Sequence, residues 1–130
     1  MVRPSGRAGA GRADQGLGPR RRGAAVRAVP RGRLVAYGEL WIDDDEAEVE
    51  LARLIVDPGE RGQGLGRHLV TALAAVARSR HPRVFLRVHP DNAAARRCYA
   101  GTEFEPAAPH LAALWNTSQP VEYVWLTLAR

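Results

Sequence analysis

Lysine is missing from this 130-residue chain, and cysteine is nearly so. The single cysteine, Cys98, excludes an internal disulfide, and no Cys/His group has the spacing of a zinc site. No stretch approaches the roughly 18 consecutive apolar residues of a membrane-spanning helix. Arginine, glycine and proline interrupt the first thirty residues, so no apolar signal-peptide core is read there. A reducing cytoplasm is the expected compartment, with no membrane partner. The four histidines are scattered and form no metal or Ser-His-Asp pattern readable from spacing. Asp43-Asp44-Asp45 reads as a solvated acidic turn without a fourth ligand at metal-site spacing, so no metal is expected.

With lysine absent, all 19 basic residues are arginine, and the net charge of +5 is unevenly placed. Nine arginines face one acid, Asp14, in residues 1–33, giving +8, whereas residues 34–130 hold ten arginines and thirteen acids, giving −3. Residues 1–22 are rich in Gly, Arg, Ala and Pro and have too little apolar surface to offset ordering entropy. They read as a disordered tail, and residues 23–130 as the single folded domain. Arg20-Arg21-Arg22 has the charge to touch nucleic acid, but no aromatic side chains interleave with the arginines, so a nucleic-acid partner is not expected.

What is present is an alternation of strand and helix patterns. Ala24–Val29, Leu34–Ile42, Glu48–Val56, Val84–Val88 and Val121–Leu128 read as strands. In the third of these, strict alternation places Leu51, Arg53 and Ile55 on one face and Glu50, Ala52, Leu54 and Val56 on the other. Leu65, Leu69, Ala72, Leu73 and Val76 recur at helical spacing, predicting a helix from about Gly64 to Ser79. Asp91 or Asn92 can cap a second helix over Ala93–Ala100, which Gly101 ends. Residues 109–116 read as a short helix or an irregular turn. This order suits a mixed α/β sheet with helices on its faces.

The densest signal is Val56-Asp57-Pro58-Gly59-Glu60-Arg61-Gly62-Gln63-Gly64-Leu65-Gly66-Arg67. A strand runs into three alternate glycines and then a helix, and bare N–H groups at a helix N-terminus favour a phosphate or pyrophosphate. A P-loop is excluded because Leu65-Gly66 stands where Lys and a hydroxyl residue are required. A dinucleotide site is excluded because the glycines are spaced G-x-G-x-G, and no acid follows Glu60 until Asp91.

Arg61-Gly62-Gln63-Gly64-Leu65-Gly66 resembles the R/Q-x-x-G-x-G/A signature of the GCN5-related N-acetyltransferase family. Asn92-Ala93-Ala94-Ala95-Arg96-Arg97-Cys98-Tyr99 resembles that family's N-x-x-A-x-x-x-Y helix, in the same order along the chain. The resemblance implies an acyl-CoA N-acyltransferase-like fold, a mixed and mostly antiparallel twisted sheet with a splayed central strand pair. It implies acetyl-CoA as cosubstrate and a small-molecule or peptide amine as acceptor. The pyrophosphate would meet Arg61, Gly62, Gln63, Gly64, Leu65, Gly66 and Arg67. The pantetheine arm would pair with the backbone of Leu54, Ile55 and Val56, whose side chains would be mainly core.

The same resemblance assigns Asn92 to the pantetheine or to a helix cap, and Tyr99 to proton donation toward the leaving thiolate. A phenol is protonated at neutral pH, as a general acid must be. Glu50, eleven residues before Arg61, is the candidate base that takes the amine proton, against the alternative of a strand carboxylate paired with an arginine. A second position where relatives carry a carboxylate is Arg87 here. The strand and two helices with which the family usually begins, one wall of the acceptor pocket, are not recognisable before Ala24. A homodimer would cover the strand edges that such a shortened domain leaves open. The alternative to catalysis is an acyl-CoA-binding module that senses or partners.

Overall fold

The computed structural model describes residues 21–28, 35–60 and 64–129. Arg21–Ala28 forms β1, Ala36–Asp43 β2 and Glu48–Val56 β3; a 3-10 turn at Pro58–Glu60 follows. Leu65–Arg80 is α1, Arg83–Val88 β4, Ala93–Ala100 α2, Phe104–Pro106 β5, Pro109–Asn116 α3 and Val124–Leu128 β6. The six strands form one sheet in the order β1-β2-β3-β4-β6-β5. Every neighbouring pair is antiparallel except β3 and β4. The expected tail lies outside the described residues, apart from Arg21 and Arg22, which already belong to β1.

Of the residues read at helical spacing, Leu69 and Leu73 are buried, whereas Ala72 and Val76 are exposed, so the buried stripe is turned from the expected one. Leu69, Val70, Leu73, Ala74 and Ala77 are the buried residues of α1. They join Leu40 and Ile42 of β2, Val49 and Leu51 of β3, and Val84, Leu86 and Val88 of β4 in the main core. Leu73 is 0% exposed, and full burial of such a side chain stabilises by roughly 1.5–3 kcal/mol. The helix lies close because β2 offers Gly38 beneath it. A Cβ at Gly38 would come within 2.5 Å of Leu73 Cδ1 and 2.7 Å of Leu54 Cδ2. Arg78 and Arg80 in the last turn of α1 suit the negative end of its dipole.

The opposite face of the sheet has its own small core. Phe85 of β4, Trp115 of α3 and Trp125 of β6 are buried together, with Leu111, Ala112 and Tyr123 packed around them. Asn116 fastens the loop after α3 to β6: its Oδ1 accepts from Trp125 Nε1 (2.9 Å) and Tyr123 N (3.0 Å), and its Nδ2 donates to Tyr123 O (3.0 Å). Residues 109–116 are thus a helix rather than a turn. β5 is a strand that the sequence pattern did not announce: three residues long and ending in proline, it sits at the sheet edge where a missing N–H is tolerated.

β3 departs from simple alternation. Tyr37 pairs with Ile55 and Glu39 with Ala52, so two residues of β3 oppose the single Gly38. Arg53 takes up the excess with a left-handed backbone, φ 55°. The bulge reverses the inside-outside order expected for this strand. Leu51 lies in the main core with Leu54 and Val56 packed against it, whereas Ile55 is 57% exposed. The expectation that all three side chains of Leu54–Val56 are mainly core is corrected for Ile55.

Candidate active site

β3 and β4 part company early. Only Glu48, Val49 and Glu50 find partners on β4, at Arg83, Val84 and Phe85. Beyond that point β3 continues to Val56 and β4 to Val88 without pairing to each other. This is the splayed central pair expected from the motifs, and it puts the Leu54–Val56 backbone on one side of an open gap.

At the end of β3 the chain turns tightly. Asp57 N donates to Val35 O (2.8 Å), and Asp57 Oδ1 accepts from Gly59 N (2.8 Å). Arg61, Gly62 and Gln63 lie outside the described residues. Gly64 then starts α1 with φ 80°, a conformation that glycine adopts without strain. A Cβ on Gly64 would meet nothing within 4 Å. Among the described residues no side chain caps this helix, and its first turn holds no acid. The opening N–H groups of α1, at Leu65, Gly66 and Arg67, thus have no intrahelical acceptor at the positive end of a 16-residue helix.

Three elements converge at Gly66. A Cβ there would lie 3.1 Å from Cys98 Sγ of α2 and 3.7 Å from Val56 Cγ2 of β3. The two sequence motifs, 26 residues apart from Gly66 to Asn92, are thereby brought to one place. Asn92 caps α2, its Oδ1 accepting from Ala95 N at 3.0 Å. Arg67 is exposed, and its guanidinium lies over Gly101 at the C-terminal end of α2, where a cation is favoured. Cys98 is half-buried; desolvation raises its thiol above the usual range, against the opposing pull of Arg67, and a thiol so placed is a poor nucleophile.

Tyr99 is buried in the main core beside this junction. Burial pushes its phenol up to about 12, with a smaller contribution from Cys98. The group is therefore held in its neutral, proton-carrying form throughout the ordinary pH range.

Glu50 is the last paired residue of β3 before the gap opens. Its side chain is 3% exposed and grips Arg87 with both oxygens: Nε donates to Oε2 at 2.8 Å and Nη2 to Oε1 at 3.0 Å. Arg87 also donates from Nη1 to Gln119 Oε1 (3.0 Å) and lies 4.9 Å from the Trp125 ring and 5.5 Å from that of Tyr123. The two positions at which the sequence sought a carboxylate base are thus joined to each other. Strand register explains the pairing. Glu50 aligns with Phe85, and Arg87 stands two residues further along the same face of β4.

Sequence reasoning passed over a second group on this face. Tyr37, Glu39 and Trp41 alternate along β2, and Trp41 sits directly opposite Glu50. Glu39 accepts from Tyr37 Oη (2.7 Å) on one oxygen and from Trp41 Nε1 (2.8 Å) on the other. The i, i+2 run of aromatic, acid and aromatic was the available signal. A surface cavity of about 390 Å³ between α1 and β5, lined in part by Val70, Arg78 and Phe104, lies on the helix-covered side and contains none of these groups.

The profile of the Acetyltransferase (GNAT) family matches residues 9–104. The chain belongs to the GNAT acetyltransferase family. It is 42% identical over 81 residues to the mycothiol acetyltransferase of Beutenbergia cavernae, a match covering 61% of this chain but 27% of that protein. The chain thus spans about a quarter of that relative's length. Among solved structures, an acyl-CoA N-acyltransferase from Klebsiella pneumoniae superposes with a TM-score of 0.62 at 28% identity, covering 80% of this chain and 68% of its own. A streptothricin acetyltransferase from Bacillus anthracis, crystallised with acetyl coenzyme A, shares the GNAT fold with a TM-score of 0.68 at 16% identity, covering 85% and 64%. The GNAT assignment fits the sheet described above, mixed and mostly antiparallel with its central pair splayed. Among the described residues no group of His, Cys, Asp or Glu is arranged to hold a metal ion, and no helix is long and apolar enough to cross a membrane.

Proposed function

We propose that this chain binds acetyl-CoA and transfers its acetyl group to a primary amine. One observation carries the reading: the acid-free N-terminus of α1, with no side-chain cap among the described residues, lies beside the end of β3 where it has parted from β4. A diphosphate suits that N-terminus, and an extended arm with amide groups suits the backbone of Leu54, Ile55 and Val56 on the side that has no register with β4. The residues that would hold the diphosphate are Gly64, Leu65, Gly66 and Arg67, together with Arg61, Gly62 and Gln63 of the same motif. Asn92, engaged as the cap of α2, would act by fixing that helix.

Acetyl-CoA supplies an activated thioester carbonyl. The chain's own groups then manage two protons. The nitrogen of a neutral amine forms the new C–N bond while the C–S bond breaks, and the departing sulfur takes a proton from Tyr99, whose burial keeps it loaded. The proton released by the amine goes to Glu50, directly or through water. Taking that proton would cost Glu50 part of its two-bond grip on Arg87. That same grip favours a second reading, an acyl-CoA-binding module without turnover.

Calorimetry with acetyl-CoA and CoA, followed by thiol release with a panel of primary amines, separates the readings. Binding with thiol release that depends on the amine supports transfer. Binding without turnover selects the module, and no binding at all overturns both.

A further inference from the structure

The cavity between α1 and β5 lies on the other side of the sheet from Glu50 and Arg87, so the acetyl-transfer reading gives it no part. Its volume of about 390 Å³ falls in the range of small-molecule sites, about 300–1,000 Å³. Val70 and Ala74 of α1, Phe104 of β5 and Leu128 of β6 give it an apolar floor. Val70, Ala74 and Arg78 recur at every fourth position, so they stand in line along two turns of α1, about 12 Å.

Charge gathers at one end of this trough. Arg78 donates to Ala129 O, while Ala129 N donates to Glu103 O (3.0 Å), so the residues that bring a cation and an acid are anchored to the same point. Both line the cavity, and both are exposed. Among the described residues neither side chain enters an ion pair, with the other or with a third group. Ala129 O takes one of the several N–H donors of the Arg78 guanidinium and leaves the others for a ligand. The turn that carries Glu103 is fixed, because Thr102 Oγ1 donates to Tyr99 O (2.6 Å) and accepts from Phe104 N (3.2 Å).

We infer that this cavity binds a free α-amino acid with an apolar side chain. Its carboxylate meets Arg78 in charge-assisted bonds, its ammonium meets Glu103, and its side chain lies over Val70, Ala74 and Phe104. Charge complementarity selects this class. An apolar anion would satisfy Arg78 and meet Glu103 with like charge, and an alkyl amine would do the reverse. A zwitterion matches both, and the apolar floor demands a tail.

The test uses the full chain labelled with 15N-threonine, without acetyl-CoA, and L-leucine as probe. Thr71 and Thr102 line the cavity, whereas Thr117 follows α3 on the other face. Each resonance is identified by its loss in the Thr→Ser variant. The expected result is a saturable shift of Thr71 and Thr102 with Thr117 unmoved. Glycine, which lacks the tail, should bind at least about tenfold more weakly. So should 4-methylpentanoate, which lacks the ammonium, and 3-methylbutylamine, which lacks the carboxylate, by about fivefold or more. Arg78→Gln and Glu103→Gln should each weaken L-leucine by about fivefold, the worth of a good exposed ion pair. Unmoved Thr71 and Thr102, an equal response to any of the three analogues, or unchanged affinity in either variant overturns the inference. If a variant does not fold, the analogue series on the unaltered chain decides.

Discussion

Replacing Arg87 with methionine tests the Glu50–Arg87 pair directly. Glu50 is 3% exposed, and in the variant its carboxylate would keep its burial and lose both guanidinium bonds. Breaking a buried pair from one side costs about 3–5 kcal/mol, because the remaining charge loses its bidentate partner. The loss spreads to Gln119, whose Oε1 gives up its bond to Arg87 while its Nε2 already has no hydrogen-bond partner among the described residues. Against a total stability of about 5–15 kcal/mol this is a large fraction. It corresponds to a fall in Tm on the order of 10–20 °C for a domain of this size. Urea unfolding followed by tryptophan fluorescence measures it, since Trp125 packs against the same guanidinium. The double variant Glu50→Met/Arg87→Met removes both charges and should recover most of the loss, because well-packed apolar replacements of a buried pair are often neutral. A single variant that loses less than about 1 kcal/mol, or a double variant no more stable than the single, would refute the reasoning.

Four further outcomes are expected. Tyr99→Phe should lower kcat by about a hundredfold or more with little change in acetyl-CoA affinity, and an unchanged kcat would remove Tyr99 from the chemistry. The same residue controls alkaline stability: with its folded value raised to about 12 and an unfolded value near 10, its contribution is complete below pH ~10 and lost as the pH climbs toward 12. That slope, about 2–3 kcal/mol in all, should vanish from pH-dependent unfolding of Tyr99→Phe. Gly38→Ala should cost about 1–3 kcal/mol by overpacking against Leu73 and Leu54, seen as a lower urea midpoint at constant slope; an unmoved midpoint would mean that α1 can lift away. Gly64→Ala meets no steric neighbour, so its cost of about 1–2 kcal/mol should come from the left-handed backbone alone and be accompanied by weaker acetyl-CoA binding, measured by calorimetry.

The elements legible in the sequence were those in which one periodicity ran uninterrupted. The part of the buried stripe of α1 at Leu69 and Leu73 and the strands around Leu40, Val49 and Leu86 followed from spacing alone, whereas Ala72 and Val76 of the same spacing are exposed and Val70, Ala74 and Ala77 are buried in their place. The phosphate-loop glycines and the Asn92–Tyr99 helix were legible as motifs, and the fold brings them together at Gly66 and Cys98. The bulge at Arg53 was not legible, because nothing in Leu51-Ala52-Arg53-Leu54 marks a left-handed residue; it lies opposite Gly38, over which Leu73 of α1 packs. The partner of Glu50 was equally hidden. It lies 37 residues away, on the one parallel neighbour, and only the register of three paired residues selects Arg87.

The short parallel seam between β3 and β4 has a further consequence. With three rungs of pairing at one end, the sheet is effectively two leaves stitched along a corner. A molecule laid into the open part would bond to both leaves and act as mortar between them. Its binding would then register as thermal stabilisation of the whole chain, about 2.7 kcal/mol at a hundredfold excess over Kd, and as slower amide exchange on both sides of the seam at once.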